Sequence, residues 1–341
     1  MKEDFALIIG INNYTPPQKS GLRPLKGAIN DANYFEAWLT SETGGNLPAE
    51  NCFKITSTPE PLLPLQEEID SKIEEMIGKV KAKGGKARRL YFYFAGHGLG
   101  SMDDIEDIAL CLAKWSELRR NMALSSELYK EVLRQFGYFE EIFLFADCCR
   151  NTKINVKPLQ PTFAPFQPSP ESGNTRLFIG YATQYQDQSF EAETGNSEMR
   201  GVFTKVLLEA LKGAAADENG VITADALRDY LSLHTPIEAQ KEGYKQKPEI
   251  NHSFTSESPP VLTLSPREEE SVKCHITFDT YRNSMIEFIG NGGVINTFDA
   301  SHEKNVTVTL SDKLYLLRDT ANNDNLPIYV SSLNTDLHVS F

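Results

Sequence analysis

Two residue types in this 341-residue chain are suited to nucleophilic catalysis. Cys149 is the second of an adjacent pair with Cys148, and His97 is flanked by glycines in Gly96-His97-Gly98. A thiol attacks a peptide carbonyl as its thiolate, and an imidazole beside it makes that form accessible near neutral pH. The tetrahedral intermediate also needs hydrogen-bond donors aimed at its oxyanion. Glycine lets the backbone turn sharply, so the N–H of Gly98 can face that charge, with the N–H of Cys149 as a second donor. Taken alone, Cys149 reads as a buried core thiol, since free Cys is often fully buried.

The elements that would carry these residues alternate. Phe5–Ile11, Cys52–Ile55, Leu90–Ala95, Glu141–Ala146 and Leu177–Ala182 are short apolar runs that predict strands. Residues 26–39, 64–83, 125–136, 202–212 and 223–233 have apolar positions at helical spacing. Alternation of this kind predicts an α/β fold, a mainly parallel sheet flanked by helices. Ligands in such sheets bind beyond the carboxyl ends of the strands. His97 follows the third predicted strand and Cys149 the fourth. Residues 151–175 hold Pro158, Pro161, Pro165, Pro168 and Pro170, which predicts a long exposed loop.

From about residue 256 the pattern changes. A Ser- and Pro-rich stretch over 256–268 reads as a linker. Runs at 272–278, 285–289, 306–310, 314–317, 328–330 and 337–339 are β-prone, and turn clusters such as Gly290-Asn291-Gly292-Gly293 separate them. The expected organisation is a domain over 1–255, the linker, and a small sandwich-like all-β domain over 269–341.

The formal charge of −13 argues against a nucleic-acid partner. No apolar stretch is long enough to span a bilayer or to form a signal-peptide core, so a soluble, cytoplasmic protein with no membrane partner is expected. Five cysteines at irregular spacing argue against a disulfide framework or a zinc site. Gly10-Ile11-Asn12-Asn13 after the first strand is not a phosphate-binding loop, which argues against a plain nucleotide-binding protein.

Several ordered segments together resemble the caspase-like peptidases (peptidase C14, clan CD), and the metacaspase and bacterial branch more than animal caspases. They are FALIIGINNY (5–14), LKGAINDA (25–32), YFYFAGHG (91–98), FLFADCC (143–149) and GVFTKVLLEALKGA (201–214). His97 precedes Cys149 by 52 residues, close to the caspase spacing of about 50. The resemblance implies a cysteine endopeptidase with Cys149 as nucleophile, His97 as base and Cys148 as a buried neighbour. It implies an oxyanion hole at the backbone of Gly98 and Cys149, and an S1 pocket holding Asp31 and Asp147. Animal caspases carry an Arg near the Leu-Lys-Gly position and a Gln two before the nucleophile. Leu25 and Asp147 stand there instead, which argues against cleavage after Asp.

Two carboxylates in one partly desolvated pocket call for a cation, so cleavage of proteins or peptides after Arg or Lys is expected. The 151–175 loop corresponds to the family's processing loop, with Lys153, Lys157 and Arg176 as self-cleavage candidates. Metacaspases usually continue the nucleophile motif with His-Ser-Gly; here Arg150-Asn151-Thr152 follows. No cofactor or metal is expected. The acidic run Asp103–Asp107 brings to mind the calcium dependence of some metacaspases but lacks an EF-hand pattern. The rival reading is a catalytically idle scaffold that binds a protein partner through the β domain.

Overall fold

The computed structural model describes residues 3–101, 104–151, 156–193, 198–264, 272–290, 293–310, 314–329 and 336–341. The chain divides into two compact units, residues 1–264 and 265–341.

The first unit is built on one six-stranded sheet. Its strands are β1 (Asp4–Gly10), β2 (Cys52–Thr56), β3 (Ala87–Ala95), β4 (Phe139–Asp147), β5 (Arg176–Tyr181) and β6 (Glu249–His252), in the order β6-β5-β4-β3-β1-β2. All neighbours are parallel except β6, which runs antiparallel to β5 at the edge. The helices are α1 (Ala28–Thr40), α2 (Gln66–Ala82), α3 (Ser126–Gln135), α4 (Val202–Glu209) and α5 (Ala224–Lys241). Successive side chains of a strand point to opposite faces, so a continuous apolar run buries both. Leu7, Ile9, Phe92, Phe94, Ile142 and Leu144 pack on the α2 and α3 side. Ala6, Ile8, Tyr91, Tyr93, Phe143 and Phe145 pack on the side of α1, α4 and α5. The parallel strands bring the carboxyl ends of β3 and β4 to one rim, with Ala95 paired to Asp147.

Sequence and structure differ in several places. β6 is unannounced, because its Glu-Ile-Asn-His is half polar. α5 runs eight residues past its expected end and accommodates Pro236 within it. The 151–175 segment is not a free loop: Val156, Pro161 and Phe163 are buried, and Leu159 bonds the backbone of Ala123 and Ser125. The first unit also extends beyond residue 255, since Leu262–Thr263 pairs with Val221–Ile222 and Val261 is buried. All five cysteines are free thiols. Among the described residues no helix is long and apolar enough to cross a membrane.

The second unit has two sheets around one apolar core that includes Val272, Ile276, Phe288, Leu317 and Phe341. One sheet holds Asn305–Leu310, Val272–Thr277 and Asp336–Ser340; the other holds Gly293–Asp299, Met285–Gly290, Leu314–Asp319 and Asp324–Tyr329. Its one buried ion pair is Arg282 with Asp319 among the described residues, and the guanidinium also lies over the Phe341 ring. Hydrogen bonds from Asn322, Ser284 and Arg282 outweigh burial and hold the Asp319 carboxyl at about 2. Its stabilising contribution is therefore present above the ordinary carboxylate range and is lost as pH falls through about 2. Asp319→Asn leaves the buried guanidinium with only the half-exposed Asp324 as ion-pair partner and is expected to cost about 3 kcal/mol or less. Hydrogen exchange of the full chain should show protection lost in peptides from 272–341 and unchanged in peptides from 4–264.

Candidate active site

Beyond β3 the chain passes through Gly96-His97-Gly98 and enters a short strand, Gly98–Gly100, paired with Ile108–Cys111. This pins the histidine backbone from both sides. Its N–H donates to the Tyr14 hydroxyl at 2.7 Å, and its carbonyl accepts from Cys111 N–H at 2.9 Å. The Tyr14 ring lies 4.8 Å from the imidazole. The His97 Nε2 is 2.7 Å from the Arg23 carbonyl. A carbonyl only accepts, so Nε2 carries the hydrogen and Nδ1 is the basic nitrogen.

Beyond β4 come Cys148 and Cys149. Cys148 is buried, and burial raises its thiol pKa far above the ordinary range. The glycine after His97 is needed for a reason other than turning. Its φ is not positive; a Cβ on Gly98 would instead lie 2.4 Å from Cys148 Sγ and 2.5 Å from the Cys149 carbonyl oxygen. The histidine segment and the cysteine segment therefore touch through a glycine. A cleft of about 250 Å³ holds both His97 and Cys149, together with Asp31, Asp147, Ser189 and Glu191. The structure thus gathers the sequence candidates of the β3 and β4 ends, and the two carboxylates, in one place.

Cys149 is half-buried. Its Sγ accepts the Ser189 N–H at 3.4 Å and donates to the Ser189 carbonyl at 3.6 Å. Burial pushes its thiol up, the Ser189 N–H pulls it down, and Asp147 adds to the rise. The resting group is accordingly a thiol that must lose its proton to a base.

Asp31 and Asp147 are buried, and every carboxylate oxygen is used. Asp31 Oδ1 faces Arg200 Nε and Oδ2 accepts the Gly201 N–H at 2.7 Å. Asp147 Oδ1 accepts the Ser189 hydroxyl at 2.7 Å, and Oδ2 accepts both the N–H and the hydroxyl of Thr204. Burial, then the charge of Asp147, raises Asp31 to about 8 in spite of Arg200. Burial also raises Asp147. Gly201 separates the pair: a Cβ there would lie 2.1 Å from Asp147 Oδ2 and 2.9 Å from Asp31 Oδ2.

The acidic run is otherwise engaged. Asp107 is buried and accepts from the Ser125 and Ser126 hydroxyls and the Glu127 N–H at the start of α3. Asp104 accepts the Glu106 N–H, and Asp103 lies outside the described residues. Among the described residues no three His, Cys, Asp or Glu side chains are gathered as cation ligands.

The caspase domain model of the peptidase C14 family matches residues 3–258, most of the chain. The chain belongs to the caspase-domain family of cysteine peptidases. A probable protease from a Desulfuromonadales bacterium is 32% identical over 67% of this chain, which spans 28% of that relative's length. The crystal structure of caspase-1 from Spodoptera frugiperda superposes with a TM-score of 0.45 at 13% identity, covering 73% of this chain and 88% of that one.

In this caspase-domain chain, three contributors to the cleft carried no recognisable signal. The Arg23 carbonyl orients His97, a backbone role that any residue type can fill. Ser189 holds the thiol with its backbone and Asp147 with its hydroxyl. Glu191 accepts the N–H groups of Lys26 and Gly27 at the start of α1, closing the cleft between loop and helix. Arg150, where metacaspases have His, is buried, with its guanidinium on Glu249 and the Ile105 carbonyl.

Proposed function

We propose that this chain is a cysteine endopeptidase that cleaves after Arg or Lys. The observation that supports it is the cleft in which thiol, imidazole and two buried carboxylates meet. The Cys149 S–H proton passes to His97 Nδ1 as the sulfur bonds to the substrate carbonyl carbon. The oxyanion takes the N–H groups of Gly98 and Cys149. His97 then protonates the leaving amine, the C–N bond breaks, and a water that gives its proton to His97 hydrolyses the thioester.

Specificity follows from the carboxylates. Asp31 and Asp147 repel each other in a desolvated site, so a P1 guanidinium or ammonium is drawn to them and Asp31 gives up its proton to meet it. Turnover of otherwise identical peptides with Arg, Lys, Asp or Leu at P1 tests this. Arg and Lys peptides are expected to be cut at least a hundredfold faster than Asp peptides; a faster Asp peptide would overturn the reading.

Self-processing is proposed at Lys157. It is exposed, two residues before the Leu159 anchor. Arg176 is a poorer candidate than its sequence position suggests, because it is the first residue of β5 and is ion-paired to Glu141. Lys153 lies outside the described residues. Incubated wild type is expected to give two fragments that Cys149→Ala does not, and Lys153→Gln/Lys157→Gln should stay intact. Identical bands from all three would end the idea.

A further inference from the structure

Arg200 has no counterpart in the site as the sequence presents it. It lies in the strand Met199–Gly201, which pairs with Glu191–Glu193. Strand residues alternate in direction. Met199 and Gly201 line the cleft, while the Arg200 side chain leaves by the other face and reaches Asp31 from behind. The residue is 9% exposed, and its guanidinium lies 3.9 Å above the Tyr34 ring.

The contact is not one that stability would select. Arg200 meets Asp31 through Nε, and its buried Nη2 has no hydrogen-bond partner. An unpaired buried donor is costly, and a forked guanidinium–carboxylate pair would have avoided it. What the arrangement does supply is a positive charge beside Asp31 from a residue that does not itself line the cleft. Among the described residues, the other charge shown to act on Asp31 is the like-signed Asp147 on β4; Glu191 lines the same cleft, and the Tyr93 hydroxyl on β3 and the Tyr34 hydroxyl, which donates to Glu198, are neutral.

We propose that Arg200 is a positioning residue for substrate selection, which orients Asp31 and favours its carboxylate form when a cationic P1 side chain enters the cleft. This rests on the proposed basic specificity and adds to it. Direct contact makes the attraction of Arg200 for Asp31 larger than its repulsion of a P1 cation farther away, because Coulomb energy falls with distance. Its removal therefore weakens binding of the cation. Asp31 already sits at about 8 with Arg200 present. Without Arg200 the proton is held more tightly, so displacing it takes up more of the binding energy of a P1 cation.

The test compares P1-Arg with P1-citrulline peptides, which match in shape and differ in charge. In Arg200→Gln the ratio of their kcat/KM values at pH 7 is expected to fall about tenfold. Most of the loss should be in KM of the Arg peptide, and the ratio should recover as pH is raised by two units. Arg200→Lys, which keeps the charge, should retain most of the wild-type ratio. Arg200→Met, which keeps an apolar stem on Tyr34, should behave like the Gln variant.

An unchanged ratio overturns the proposal, as does an equal, pH-independent loss on both peptides. Unfolding of both neutral variants while the Lys variant folds would also overturn it and make Arg200 structural. If wild type itself prefers P1-Asp to P1-Arg, the basic specificity fails instead. If wild type prefers P1-Arg and the Gln variant leaves the ratio unmoved, only the role of Arg200 fails.

Discussion

His97→Ala is expected to lower kcat/KM on a P1-Arg peptide by about 10⁴-fold, with KM little changed, because in the proposed mechanism His97 takes the thiol proton and later supplies the amine proton. The size of the effect follows from the state of Cys149. Its thiol is raised by burial and by Asp147, and the one lowering influence is a backbone N–H from Ser189. A cysteine held this way is not a ready thiolate. Without the imidazole, alkylation by a small neutral reagent should become slow at neutral pH and rise only in the alkaline range. Thiol alkylation followed against pH checks this. A variant that keeps wild-type alkylation at neutral pH would show that the proton leaves by another route.

The second large effect concerns Asp147. Its carboxylate accepts from Ser189 and Thr204, and the residue lines the cleft. Asp147→Asn keeps the shape and some of the hydrogen bonds but removes the charge. Breaking one partner of a buried charge pair costs about 3–5 kcal/mol, which is about 10²- to 4 × 10³-fold in affinity. The P1-Arg peptide should lose kcat/KM on that scale, while a P1-citrulline peptide should lose far less. Equal losses on both would mean that Asp147 acts on the Ser189–Cys149 contact rather than on the substrate.

The parts of this protein that were legible in its sequence are those where burial on both faces forces an unbroken apolar run. Phe5–Ile11 and Leu90–Ala95 announce central parallel strands, and the residues that follow each such run sit at the functional rim. The parts that were not legible carry half-polar or exposed strands. Glu249–His252 is an edge strand with one face partly open. Gly293–Asp299 has five exposed residues in succession, so no alternation marks it. Prolines misled in the 151–175 segment: they exclude helix and central strand, but they do not prevent Pro161 and Phe163 from packing into the core.

The same division holds at the site. His97 and Cys149 follow strands and carry side-chain chemistry, so type and position point to them. The Arg23 carbonyl and the Ser189 N–H act through the backbone, which no residue type records. Gly98 was read as a turn former, whereas close approach of Cys148 and Cys149 is what forbids a side chain there. Arg200 is one of many surface-type residues in an acidic chain, and only the pleat of its strand reveals that it sits behind Asp31.

One measurement bears on the union of thiol, imidazole and acidic pocket more directly than any other. The intact protein is treated with a peptidyl Arg-chloromethylketone and, separately, with the Asp analogue, and the adduct is mapped by peptide mass spectrometry. A single adduct at Cys149 is expected, formed much faster with the Arg reagent, absent in Cys149→Ala and strongly slowed in His97→Ala. Labelling that persists in Cys149→Ala, or that favours the Asp reagent, would contradict it.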